Sequence, residues 1–223
     1  MDDVTKIHLV RHGEVDNPTG VLYGRMPDFH LTELGNAMAH KVAHYFSGRD
    51  IRAIISSPLE RARETAEPLS RMCDIDIHED VRLIEADNKF EGINVNKNRL
   101  IFAHPKFWVW YRNPLRPSWG ESYKEVVERF SSVVRELLHN VRGGEGVIVS
   151  HQLPIWLMRS FLEGRSLVHD PRRRECSLCS VTTLTFIGNQ LISVTYNEPA
   201  SDLLTSARDV TPGNSPAEVN AGQ

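Results

Sequence analysis

Apolar residues along this chain fall into two kinds of spacing, short unbroken runs and longer stripes recurring every three or four positions, and their order predicts the elements. Ile7-His8-Leu9-Val10, entered from Lys6, reads as a short buried strand that ends at Arg11-His12-Gly13-Glu14. Thr32 can cap a helix running to about Phe46, because Leu34, Met38, Val42 and Phe46 repeat every four residues and Gly48 offers a stop. Ala53 to Ser56 is a second buried strand. Ser57-Pro58-Leu59-Glu60 then has the form of a capping box with proline in the first turn, placing Arg61 early in a helix that Pro68 should kink or interrupt.

The second half repeats this alternation. Ser122 and Glu125 form another capping box, ahead of an apolar stripe through Val126, Phe130, Val133, Val134, Leu137 and Val141, and Gly143-Gly144 should end the helix. Gly146 to Ser150 is the clearest buried strand, delivering His151 at its end, with a helix from about Pro154 to Leu162 behind it. Runs at 181–186 and 191–196 flank Gly188-Asn189, a hairpin turn. The order predicts an α/β fold in three layers, a mostly parallel central sheet with helices on both faces. Residues 1–198 form the domain. Residues 86–120, rich in aromatics, prolines and cations, break the alternation and read as a small inserted subdomain on the substrate side. Residues 199–223, poor in apolar side chains, read as a disordered tail.

Composition narrows the function classes. The chain has 223 residues and a formal net charge of -3, which provides no overall field to draw it onto nucleic acid or an acidic membrane. The first residues lack a basic, apolar secretion signal, and no apolar run is long enough to span a bilayer. A soluble cytoplasmic protein is expected. Cys73, Cys176 and Cys179 are an odd number, so no disulfide framework is expected. Cys176 and Cys179 open what reads as a strand, where residues three apart face opposite sides, so neither a redox pair nor a metal site is expected from them.

The candidate chemistry lies where strands end. Arg11-His12 follows the first, Arg61 opens the helix after the second, and His151 follows the strand at 146–150, which is where open α/β sheets place ligands. Each residue alone has a bland reading as a surface arginine or a structural histidine. Their repeated placement at strand ends argues against that reading for the set.

In these motifs the chain resembles the histidine phosphatase, or phosphoglycerate mutase-like, superfamily. Val10-Arg11-His12-Gly13-Glu14 matches its nucleophile motif, and Ser56 to Ala62 with Thr65-Ala66 matches its second-arginine motif. Val149-Ser150-His151 matches its second-histidine motif, and Leu83-Ile84-Glu85 with Phe90-Glu91-Gly92 is similar to its acid segment. The resemblance spans roughly residues 5 to 197 in order. It implies that His12 is phosphorylated during turnover, that Arg11, Arg61 and His151 bind the phosphoryl group, and that Glu85 is the proton donor, with Glu91 its nearest competitor and Glu14 structural. Asn17 and Arg25 are implied as further substrate contacts. Gln152 stands where the family commonly has glycine, and Val15-Asp16-Asn17-Pro18 departs from the usual sequence after the nucleophile motif.

The chemistry fits these residue types. A phosphoryl transition state spreads negative charge over its oxygens, and guanidinium groups present forked donors that stay charged. No metal or organic cofactor is implied. The expected activity is hydrolysis of a small phosphorylated metabolite. The alternatives are a mutase that returns the phosphoryl group to bound product and a phosphate-binding regulator without turnover. The glycolytic mutases' longer arginine- and lysine-containing motif has no match after the acid segment, which favours a phosphatase. A homodimer is compatible with the sequence but nothing in it requires one.

Overall fold

The computed structural model describes residues 3–94 and 120–217. Six strands form one sheet: β1 (Val4–Arg11), β2 (Ile51–Ser56), β3 (Ile77–Glu79), β4 (Glu145–Ser150), β5 (Val181–Ile187) and β6 (Gln190–Asn197). Their order is β3-β2-β4-β1-β5-β6. The first four strands of that order run parallel, while β5 and β6 form an antiparallel edge. Among the described residues four helices cover it: α1 (Glu33–Tyr45), α2 (Glu60–Cys73), α3 (Tyr123–Asn140) and α4 (Gln152–Leu162).

Alternation along the strands divides the core in two. Val10, Ile54, Val147 and Val149 pack with Met38 and Val42 of α1 and Ala66 and Leu69 of α2. Ile7, Leu9, Ile148 and Leu184 face the other way, onto Phe130, Val134 and Leu137 of α3 and Ile155 and Met158 of α4. This is the expected three-layer α/β architecture.

The end signals mostly act as expected. Thr32 caps α1 by accepting from the Gly35 amide, and Ser122 and Glu125 form the reciprocal box at α3. Gly188 takes a left-handed φ of 58° in the β5–β6 turn, which a residue without Cβ adopts at no steric cost.

Four expectations are corrected. α2 begins at Glu60 with Leu59 at its cap and no side-chain capping bond; the Ser57 hydroxyl accepts from the Leu59 amide at 3.4 Å and meets His151 at 2.7 Å. Pro68 does not interrupt α2, which runs on to Cys73 with the buried proline ring inside it. Cys176 and Cys179 lie in a buried turn ahead of β5, and Cys179 has a φ of 55°. Finally, residues 199–217 are not a disordered tail: Ala200, Leu204, Ala207 and Ala217 are buried against the α1–α2 face. Sparse apolar residues anchor this segment because most of them are small and fit between elements already in place.

Residues 95–119, the bulk of the expected insertion, lie outside the described residues. Its described flanks are joined to the loop after β1 by a bridge between Val21 and Asn94, and to each other by a bridge between Asn88 and Gly120. Among the described residues no helix is long and apolar enough to cross a membrane.

Candidate active site

Parallel pairing sets the site. Arg11 at the end of β1 lies opposite Ser150 at the end of β4, and Ser56 at the end of β2 pairs with Val149, so three chain reversals meet at one edge. Backbone bonds lock them there: the His12 amide donates to the Ser150 carbonyl at 3.1 Å and the Ser57 amide to the Val149 carbonyl at 2.9 Å. Gly13 is required by close approach, since a Cβ there would come 2.7 Å from the Gly35 carbonyl oxygen. Its amide donates to the Thr65 hydroxyl, which ties the nucleophile loop to α2.

His12 is fully enclosed. Its Nδ1 sits 2.8 Å from the Gly13 carbonyl, an acceptor, so Nδ1 carries the proton and Nε2 keeps its lone pair. Burial first, then the charges of Arg61 and Arg11, hold the imidazole pKa well below 6.5. The ring is therefore a neutral nucleophile. His151 lies 5.3 Å away between ring centroids, likewise held neutral, with Nε2 2.7 Å from the Ser57 hydroxyl and Nδ1 without a partner among the described residues.

Both arginines are buried with donors left over. Arg61 gives Nη2 to the Gly24 carbonyl at 2.5 Å and lies 4.8 Å over the Tyr23 ring, while its Nε and Nη1 have no acceptor among the described residues. Arg11 gives Nη1 to the Cys176 carbonyl, and its Nε is also unpartnered. Buried N–H groups without acceptors are costly and uncommon. Here four unpaired nitrogens, on Arg11, Arg61 and His151, belong to three residues around His12, which is the donor set that a tetrahedral anion needs.

Glu85 approaches from the loop after β3. One carboxylate oxygen accepts from the Ala86 amide at 2.8 Å and the other has no protein partner among the described residues. Burial raises its pKa above 4.5, against the pull of Arg61, Arg174 and Arg11. The Glu91 carboxylate instead accepts the Arg25 amide at 2.7 Å. Glu14 accepts from Thr32 and from the Arg208 amide, so its carboxylate is committed to structure.

The two proposed substrate contacts are placed differently. Arg25 directs Nε to the Glu85 carbonyl and Nη2 to Glu121, both at 2.7 Å, and so braces the acid loop from behind. Asn17 closes its own loop, donating to the Val21 carbonyl and accepting the Val21 amide. It lines a cavity of about 470 Å³ with Asp16, Tyr23, Thr32, Arg208 and Val210, alongside the buried cluster.

Sequence reasoning missed the C-terminal contribution. Asp209 pairs with Arg11 Nη2 at 2.7 Å, both side chains fully buried, and the Thr211 hydroxyl accepts from the same nitrogen. Thr211 donates in turn to Asp209 at 2.5 Å. Tyr23 was also missed: its hydroxyl is pushed up to about 12 by burial and by Asp209, and so stays protonated.

Residues 7–199 match the histidine phosphatase superfamily (branch 1). The chain belongs to this family. An uncharacterized protein of Mycobacterium tuberculosis is 47% identical over 201 residues, covering 90% of this chain and all of its own length. A Yersinia pestis protein named as a "probable phosphoglycerate mutase" is 32% identical over 187 residues, 79% of this chain and 84% of the relative. Among solved structures, mycobacterial glucosyl-3-phosphoglycerate phosphatase superposes with a TM-score of 0.69 at 25% identity, covering 87% of this chain and 96% of that one. The family includes both phosphatases and mutases, and an enzyme of one or the other kind follows.

Proposed function

We propose that this enzyme is a phosphatase that hydrolyses phosphate monoesters of small metabolites through a phosphohistidine on His12. The observation that carries the reading is the neutral His12, its Nδ1–H held by the Gly13 carbonyl, beside the unpartnered donors of Arg11, Arg61 and His151. In the first step Nε2 attacks phosphorus in line while the bond to the ester oxygen breaks, and protonated Glu85 delivers its proton to that oxygen. The alcohol leaves. In the second step the Glu85 carboxylate takes a proton from water, the resulting hydroxide attacks phosphorus, and the N–P bond breaks to release phosphate and regenerate neutral His12.

Burial raises the Glu85 pKa and so favours the protonated form that the first step uses. Arg11 and Arg61 supply the positive charge that a metal would otherwise supply. The free thiols of Cys73, Cys176 and Cys179 suit a reducing compartment such as the cytoplasm. The second reading, a mutase, is favoured by the phosphoglycerate mutase name of the Yersinia relative. Turnover of a panel of phosphorylated metabolites with EDTA present separates the two: release of inorganic phosphate is expected. Transfer of the phosphoryl group between positions of one substrate, with no phosphate released, would overturn the phosphatase reading.

A further inference from the structure

We infer that Arg174 and Gln152 form a second anion subsite beside the phosphoryl site, so that the preferred phosphate ester carries another anionic group, a carboxylate or a second phosphate. This rests on the phosphatase reading and adds to it a class of substrate.

Arg174 differs from its neighbours in having only neutral partners. Arg25, Arg129, Arg159, Arg165 and Arg172 each pair with a carboxylate. Arg174 donates Nε to His169 at 2.9 Å and Nη1 to the Gln152 side-chain oxygen at 3.1 Å, and no carboxylate is paired with it among the described residues. The His169 bond is well defined. Nδ1 of that ring lies 2.7 Å from the Leu167 carbonyl and must carry the proton, which leaves Nε2 as the acceptor. Packing of His169 between Tyr123 and Trp156 holds it in place.

Two donors are then left over at one place. Nη2 of Arg174 makes no hydrogen bond among the described residues, and the Gln152 amide nitrogen, on a side chain only 2% exposed, has no acceptor. A buried amide nitrogen without a partner costs stability, and a partly buried cation whose hydrogen bonds all go to neutral groups costs more. Both costs are relieved by one acceptor carrying negative charge. Arg174 is also close enough to the reacting groups to act on the same substrate: its charge lowers the pKa of Glu85 and opposes that of Arg11. Gln152 directly follows His151, so a single chain turn links the two anion sites. The departure from the family's glycine thus has a specific use.

The test is a matched pair of esters, 3-phosphoglycerate and glycerol 3-phosphate, which differ by a carboxylate in place of a hydroxymethyl group. A charged hydrogen bond of this kind corresponds to a preference of about 10- to 100-fold in kcat/KM for the acid. Arg174→Gln should collapse that ratio towards one, Arg174→Lys should retain part of it, and Gln152→Met should lower it. Where neither ester turns over, their inhibition constants against p-nitrophenyl phosphate give the same ratio. An equal rate or affinity for both esters in the native protein, or a parallel loss on both in Arg174→Gln, overturns the subsite while leaving the phosphatase reading intact. Absence of p-nitrophenyl phosphate hydrolysis overturns the phosphatase reading, and the subsite with it.

Discussion

Asp209→Asn removes one charge from a pair in which both side chains are fully buried, and it does so in a segment that sequence alone assigns to a tail. Arg11 keeps its charge but is left with the Cys176 carbonyl and the Thr211 hydroxyl, both neutral. Breaking a buried pair by neutralising one partner costs about 3–5 kcal/mol, because the remaining charge is desolvated and uncompensated. For a domain of this size about 1 kcal/mol moves Tm by roughly 2–4 °C, so the variant should melt about 6–20 °C lower. Inorganic phosphate brings negative charge back to Arg11, and a ligand at 100 times its Kd stabilises by about 2.7 kcal/mol. Melting followed with and without phosphate should therefore show a low Tm and a larger phosphate-induced rise in the variant than in the native protein. A loss under about 2 °C, or equal phosphate shifts in the two proteins, would refute the view that the C-terminal segment neutralises Arg11.

Arg61→Lys keeps a charge but loses the unpartnered Nε and Nη1 donors, so kcat should fall about 10²–10³-fold with a folded protein by circular dichroism; near-normal kcat would return Arg61 to a structural role. Glu85→Gln should slow alkyl phosphates far more than activated aryl phosphates, which need little protonation to leave, while Glu91→Gln should show no such leaving-group dependence. The pH profile follows from the two shifts. Rates need neutral His12, whose pKa lies below 6.5, so kcat/KM should rise with pH along an acid limb below that value; they also need protonated Glu85, whose pKa lies above 4.5, so activity on alkyl esters should fall as pH rises through that pKa. An acid limb centred above 6.5 would contradict the neutral-nucleophile geometry.

How far these features could be read from sequence depended on how local their causes are. Helix α3 was legible because a capping box and a four-residue apolar repeat lie within one segment, and the strands before Arg11 and His151 because full burial demands unbroken apolar runs. Ser57 shows the limit. Its spacing to Glu60 satisfies the capping pattern, but the hydroxyl has a long-range partner in His151, 94 positions away, which no local rule sees. Short β3 has only three residues, too few for periodicity, and the hydrogen bonds that make it a strand come from β2. The C-terminal segment was misread for a related reason. Its anchors Ala200, Ala207 and Ala217 are small, and Asp209 looks like solvated charge until Arg11, 198 positions earlier in the chain, is brought against it. Four of the resemblance's key residues, Arg11, His12, Arg61 and His151, converge, with Glu85 at their edge. Asn17 and Arg25 do not join that cluster, because their side chains are committed to neighbouring loops.

The central claim is that the phosphoryl group passes through His12. Rapid acid-free quenching of the enzyme during turnover of a labelled aryl phosphate, followed by alkaline peptide mapping, measures this directly. Acid-labile, base-stable phosphate on the peptide containing His12 is expected, and none in His12→Ala that remains folded. Phosphate on a serine or cysteine, or on His151 in place of His12, would contradict the account.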